Sequence, residues 1–404
     1  MSEDFSQQVH KIASDEWPKV AAILTAELKD IGLAEECTQD AFTKAIEQWP
    51  GAGVPQRPGA WLLTVARRGA IDILRRNKTG EAKTELVAQL ELATSPAATA
   101  VDMSLVRDEQ LQLLFGCCHP ALSVEAQIAL TLRCVLGVST PRIAAAFLVP
   151  EATLAQRLGR AKKKIKAAGI GLRMPSDAEL LDRTAAVHKI IYLTYNDGYI
   201  EEPNRDPTKR LGPEAIRLAQ LLAELLADNA ETHGLLALMS FLEGRAPARV
   251  VDGKLVLLEN QDRTLWNDQL IEQGKQSLQR ALVLENPGPY QMQAAINELH
   301  CAPNSTDTDW RQIAMLYSRL LGHTDTPVIR LNHAVAVGLS ETPESGLGLL
   351  KSLEDDLASY HYYWAAKGDL NIRAGNSGAN DFKRAIELCD NDLERELLAK
   401  KLNG

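Results

Sequence analysis

"FLVPEATLAQRLGRAKKKIK", residues 147–166, decides how the first half of this chain is read. Six of its last ten residues are Lys or Arg and none is acidic, while the 404-residue chain carries a net charge of −9. On a helical wheel of about 100° per residue, Leu154, Leu158, Ala161 and Ile165 share one narrow stripe, the signature of a helix that buries one face. Ala152, Thr153, Gln156, Arg160 and Lys163 lie opposite, and Arg157 and Lys164 flank them.

The residues before it supply a partner. In "LGVSTPRIAAAFL" (136–148), Gly137 ends one helix, Ser139 is placed to cap the next, and Ile143, Ala144 and Phe147 offer packing groups. Leu148-Val149-Pro150 form a short turn, with Pro150 where its missing N–H costs nothing. Helix, three-residue turn and a helix with a small, polar and basic outer face form a helix-turn-helix pattern. Gln and Arg read base edges bidentately, Thr and Ala allow close approach, and distal lysines neutralise phosphate. The competing reading is a solvated basic helix.

Composition sets the frame. The chain is 45% hydrophobic and 24% charged but only 5% aromatic, which favours helix over strand, so the expected fold class is all-α. No apolar run approaches the roughly 18 residues of a membrane span. "MSEDFSQQVHK" has no secretory pattern, and six cysteines without a framework fit a reducing cytosol, so a cytoplasmic protein is expected. Charge is uneven: residues 1–172 hold 20 Lys+Arg against 19 Asp+Glu, and the remainder 24 against 34, a net of −10. A protein gripping duplex DNA alone usually shows a stronger basic excess, so DNA binding here is local and assisted.

Upstream, "LAEECTQDAFTKAIEQW" (33–49) reads as a helix, "PGAGVPQRPG" (50–59) as a loop and "AWLLTVARRGAIDILRRNK" (60–78) as a long helix. In the last of these, Leu62, Val65, Ala66, Gly69 and Ile73 are the expected apolar face. Arg67, Arg68 and Arg75 are expected to point away beside an exposed Ile71, with Trp61 at the leading edge. Guanidinium groups beside apolar surface suit a displaced single strand. For Trp61 alone, a core anchor is the favoured reading.

These two halves resemble the extracytoplasmic-function class of bacterial RNA polymerase sigma factors. "LAEECTQDAFTKAIEQW" with "PGAWLLTVARRGAIDILRR" looks like region 2, which docks on the polymerase clamp and opens the minus-ten element. "LSVEAQIALTLRCVLGVSTPRIAAAFLVPEATLAQRLGRAKKKI" looks like region 4, the reader of the minus-thirty-five element. The resemblance implies core RNA polymerase and promoter DNA as partners. It puts Gln39 and Asp40 on the clamp face and makes residues 51–59 the segment that pockets a flipped base. The family usually has Glu where Arg142 stands; Arg142 loses a capping box and becomes a candidate phosphate contact.

The resemblance orders the chain as region 2 over 1–80, a linker over 81–104, region 4 over 105–172 and a regulatory domain over 173–404. The picture is of two separate modules on a flexible tether. "FGCCHPAL", "YNDGY", "LLALM", "LLENQDRTLW" and "GPYQMQAAI" resemble a subgroup whose C-terminal extension is tetratricopeptide-like and regulatory. "TPVIRLNHAVAVGLSETPESGLGLLKSL" and "YHYYWAAKGDLNIRAGNSGANDFKRAIEL" each read as a helical hairpin near that repeat length. "ARVVDGKLVLLE" (248–259) predicts one β-hairpin with a type I′ turn at Asp252-Gly253. The acidic C-terminal part is a candidate for intramolecular contact with the basic helices of the core. "YLTYNDGYIEEP" (192–203) reads as structural.

No metal, cofactor or catalytic site is expected. Cys117-Cys118-His119 reads as helix-end packing, because adjacent cysteines rarely serve one tetrahedral ion. No hydrolase, phosphate-loop or dinucleotide motif occurs. A stand-alone helix-turn-helix regulator with a peptide- or ligand-sensing repeat domain stays open as the second reading.

Overall fold

The computed structural model describes residues 3–76, 81–94, 103–147, 149–167, 174–199 and 211–403. The chain divides into two units, Met1–Thr194 and Tyr195–Gly404. Both are helical, as expected.

The first unit begins with α1 (Glu3–Leu28), α2 (Ile31–Ala52) and α3 (Pro58–Arg76). Asp30 caps α2 by accepting from the backbone N–H of Gly32 at 3.0 Å and Leu33 at 3.2 Å. The α2 helix runs through Pro50 and stops at Gly53, whose φ of 79° favours glycine, so the loop is shorter than the expected 50–59. Leu24, Ala34, Ala41, Ala45 and Leu62 are fully buried where the three helices meet. Small alanines at those positions allow close helix approach.

The first part of the expected linker 81–104 is helical. The run "EAKTELVAQLELA" forms α4 (Glu81–Ala93) and packs on α3, with Leu90 2% exposed. The small-residue stretch 95–102 lies outside the described residues.

The unit continues with α5 (Met103–Cys117), α6 (Val124–Leu130), a π turn at Thr131–Val135, α7 (Thr140–Ala146) and α8 (Glu151–Ala167). Helix α9 (Asp177–Tyr199) follows, and the Arg183 guanidinium donates to the Phe115 carbonyl. The first unit runs to Thr194, within α9. Cys117 and Cys118 are buried, and burial pushes the Cys118 thiol up to about 11.

The expected pair of tethered, separate modules is corrected here, because the two halves pack against each other. The Trp17 indole on α1 donates to the Cys134 carbonyl at 3.2 Å, within the π turn. A π turn displaces the regular helical ladder, which frees a carbonyl for an outside donor. Gly137, at φ 69°, lies flat against the same indole; a Cβ there would sit 2.4 Å from the ring. No side chain fits in that gap.

The second unit stacks antiparallel helices. These are α10 (Gly212–Leu225), α11 (Ala230–Arg245), α12 (Asp268–Val283), α13 (Pro289–Leu299), α14 (Trp310–Leu321) and α15 (Pro327–Ser340). They continue as α16 (Pro343–Lys351), α17 (Glu354–Leu357), α18 (His361–Arg373), α19 (Ala379–Leu388) and α20 (Asp392–Asn403). Helix α11 is buried on nearly every side, between α10, α12 and α13. The expected hairpin is present as β1 (Val250–Val251) and β2 (Lys254–Leu255), with Val250 opposite Leu255 and Val251 opposite Lys254. Asp252 and Gly253 have φ of 50° and 72°, the paired positive values of a type I′ turn. The tail of "YLTYNDGYIEEP", from residue 200, lies outside the described residues.

Candidate nucleic-acid interface

Helix α8 presents the face its sequence predicted. Leu154, Leu158, Ala161 and Ile165 are buried, while Ala152, Thr153, Gln156, Arg160 and Lys163 are exposed. A groove of about 380 Å³ runs between α8 and the start of α6, lined by Thr153, Gln156 and Arg160 from one side and Ser123 from the other. Ser123 caps α6 by accepting from the Ala126 N–H at 3.4 Å. The flanking basic residues are partly committed. Lys164 Nζ donates to the Ala121 carbonyl at 2.5 Å, and Arg157 is half-buried near Glu125. The Glu125 carboxyl is held below its usual range by its own backbone N–H and the Ser123 hydroxyl, with the charge of Arg157 adding to them. Arg142, on α7, is half-buried.

On α3 the arginines separate. Arg68 and Arg75 are exposed, and Arg75 pairs with Glu91 of α4. Arg67 is only 9% exposed: it forks onto Glu27 at 3.1 and 2.5 Å and donates to the Ala93 carbonyl at 2.9 Å. Ile71 is 6% exposed. Both were expected on the outer surface, and the structure corrects that. Helix α4 covers this side of α3, and Glu27 neutralises the guanidinium, so the buried face includes Leu63, Arg67, Ala70 and Ile71. Trp61 is half-buried, its ring 5.4 Å from that of Trp49.

Gln39 and Asp40 are exposed on α2, as the clamp-face reading requires. Gln39 also meets region 4: its Oε1 accepts from Arg133 Nη2 at 2.5 Å. The same guanidinium pairs with Glu35, and Lys162 of α8 reaches Glu35 at 2.7 Å. Lys166 pairs with Asp30 at 2.7 Å. The sequence reading missed Glu35, Arg133 and Lys162. The available signal was Glu35 itself, a carboxylate on the stripe of Thr38, Phe42 and Trp49 that α2 buries.

As for metal, among the described residues His361, Cys389 and Glu394 bring donor atoms within 4.8 Å of one another. Each already has a hydrogen-bond partner: His361 with Glu394 at 3.0 Å, Glu394 with Tyr362 at 2.5 Å, and Cys389 with the Asn391 carbonyl at 3.4 Å.

Residues 14–79 match Sigma-70 region 2, and residues 112–165 match Sigma-70, region 4. The chain belongs to the sigma-70 family. It is a sigma factor of the extracytoplasmic-function type, with core RNA polymerase and promoter DNA as its partners. Residues 183–282 of this sigma factor match a family of unknown function, DUF6596, which marks the added C-terminal domain. An uncharacterized protein of Rhizobium meliloti (strain 1021) is 39% identical over 393 residues, covering 96% of this chain and 93% of that protein. No solved structure matches. No described helix of the sigma factor is long and apolar enough to cross a membrane.

Proposed function

We propose that this sigma factor reads the minus-thirty-five element with Thr153, Gln156, Arg160 and Lys163, with Ala152 permitting close approach. Arg142, Arg157 and Lys164 line the edge of that contact. At the minus-ten element we assign Arg68 and Arg75, with Trp61 beside them; Arg67 and Ile71 brace α3 from inside. Gln39 and Asp40 meet the polymerase clamp. The exposed polar and basic face of α8 is the observation that supports this most directly. The protein acts in the cytoplasm and catalyses no reaction of its own.

The packed arrangement of residues 1–194 fits a resting state. The two promoter elements are about 25 base pairs apart by name, or ~85 Å along B-DNA. A compact unit of this length has a radius of gyration of ~16 Å, hence a diameter near ~45 Å. The two halves must separate to reach both elements, and polymerase binding at Gln39 and Asp40 competes with Arg133 for the same face. The C-terminal unit regulates this step, and its net negative charge suits contact with the basic helices of the first unit.

Copurification with core polymerase, followed by promoter opening by the full chain and by a chain lacking residues 200–404, tests this reading. Association with polymerase and opening that depends on the sigma factor are expected, with output altered by the truncation. Tight duplex binding without polymerase would instead favour a stand-alone regulator.

A further inference from the structure

Within the C-terminal unit, a half-open cavity of about 410 Å³ lies between the end of α11, the hairpin strand β2, and helices α18 and α20. Its volume falls in the range of small-molecule sites, roughly 300–1,000 Å³. Leu242, Leu255, Leu257 and Leu398 give it an apolar wall. The hairpin is the one sheet among the described residues, and it supplies Leu255 of that wall.

The polar lining is lopsided. Arg245 is 9% exposed, and among the described residues no carboxylate pairs with it. Its Nε donates to the Phe241 carbonyl at 3.2 Å and its Nη2 to Asn297 Oδ1 at 2.5 Å, both neutral acceptors. Beside it His300 has a buried Nδ1 with no hydrogen-bond partner. Burial, and then the charge of Arg245, lower the His300 pKa to about 4, so the ring is neutral at pH 7 and can donate one hydrogen bond. Arg249 also lines the cavity, and Lys401 at its edge is paired with Asp369 at 2.6 Å. The one carboxylate there, Glu394, is engaged by His361 and Tyr362.

A buried guanidinium without a counter-charge is costly, and an anion beside it removes that cost. We infer that this cavity binds a small amphipathic anion, with its apolar tail on the leucine wall and its carboxylate at Arg245 and His300. Binding is measured on the chain without polymerase or DNA, so its outcome is independent of the transcription reading.

The test is calorimetric titration of the full-length chain with decanoate and with its uncharged counterpart decan-1-ol. Decanoate is expected to bind on the order of tenfold more tightly, the scale of one charge-assisted contact. Arg245→Met should remove that preference while leaving the protein as stable or more stable, since it deletes an uncompensated buried charge. Ala365→Trp, which fills the cavity from α18, should abolish binding of both probes. Failure of decanoate to bind overturns the inference. So does an equal affinity for the two probes, or a preference that survives Arg245→Met.

Discussion

The ammonium of Lys162, on α8, lies 2.7 Å from the carboxylate of Glu35, on α2, across 127 residues of chain. Arg133 pairs with the same carboxylate, and both members of that pair have side chains only 9% exposed. Ion pairs this buried stabilise mainly by making their own disruption costly.

Glu35→Gln leaves Arg133 buried beside a neutral amide. Losing one member of a buried pair costs about 3–5 kcal/mol, and part of that is recovered when the interface opens and Arg133 is solvated. The variant should therefore populate the separated form more. Fluorescence energy transfer between labels on α2 and α8 should fall, and affinity for core polymerase should rise. Unchanged transfer would show that the pair does not hold the halves together.

Gly137→Ala attacks the same interface through packing. The added methyl meets the Trp17 ring in a backbone conformation that L-residues rarely adopt. A loss of about 2–4 kcal/mol is expected, on the scale of overpacking plus backbone strain. Trp17 fluorescence should shift toward that of a solvated indole, and an unaltered melting curve would contradict the packing.

On the proposed recognition face of α8 the exposed side chains are expected to divide by role. Gln156→Ala or Arg160→Ala should cost about 1–3 kcal/mol at the cognate minus-thirty-five element and relax its sequence preference. Lys163→Ala should weaken binding similarly on all sequences and reduce the salt slope by about one. Binding of holoenzyme to promoter variants at several salt concentrations separates the two outcomes.

His188, on α9, is 4% exposed, and burial lowers its pKa to about 4. The folded protein keeps the ring neutral while the unfolded chain protonates it near its ordinary value of about 6.5. Stability is complete above that value and falls as pH drops from 6.5 towards 4, by roughly 3 kcal/mol in the limit. Melting temperatures at pH 7 and pH 5 should differ more for the parent than for His188→Gln.

The local features were legible in the sequence because each depends on short-range geometry. The apolar stripe of α8 needs only the helical period, and Leu154, Leu158, Ala161 and Ile165 are buried as that period required. The hairpin turn needs only two residues that tolerate positive φ, and Asp252-Gly253 adopt them. The all-α class followed from composition, and the family from motifs in the right order. What the sequence did not disclose is which polar residues are covered, since that depends on a neighbour distant in the chain. Arg67 and Ile71 lie on the side of α3 that α4 covers, and Glu27 of α1 is what makes a buried arginine tolerable there. Arg133 and Lys162 look like ordinary surface charges in isolation, and Glu35 stands out only as a carboxylate on the buried stripe of α2. Tertiary packing brings them together, where the low dielectric of the interface turns each unpaired charge into a large penalty and each paired one into a constraint on geometry.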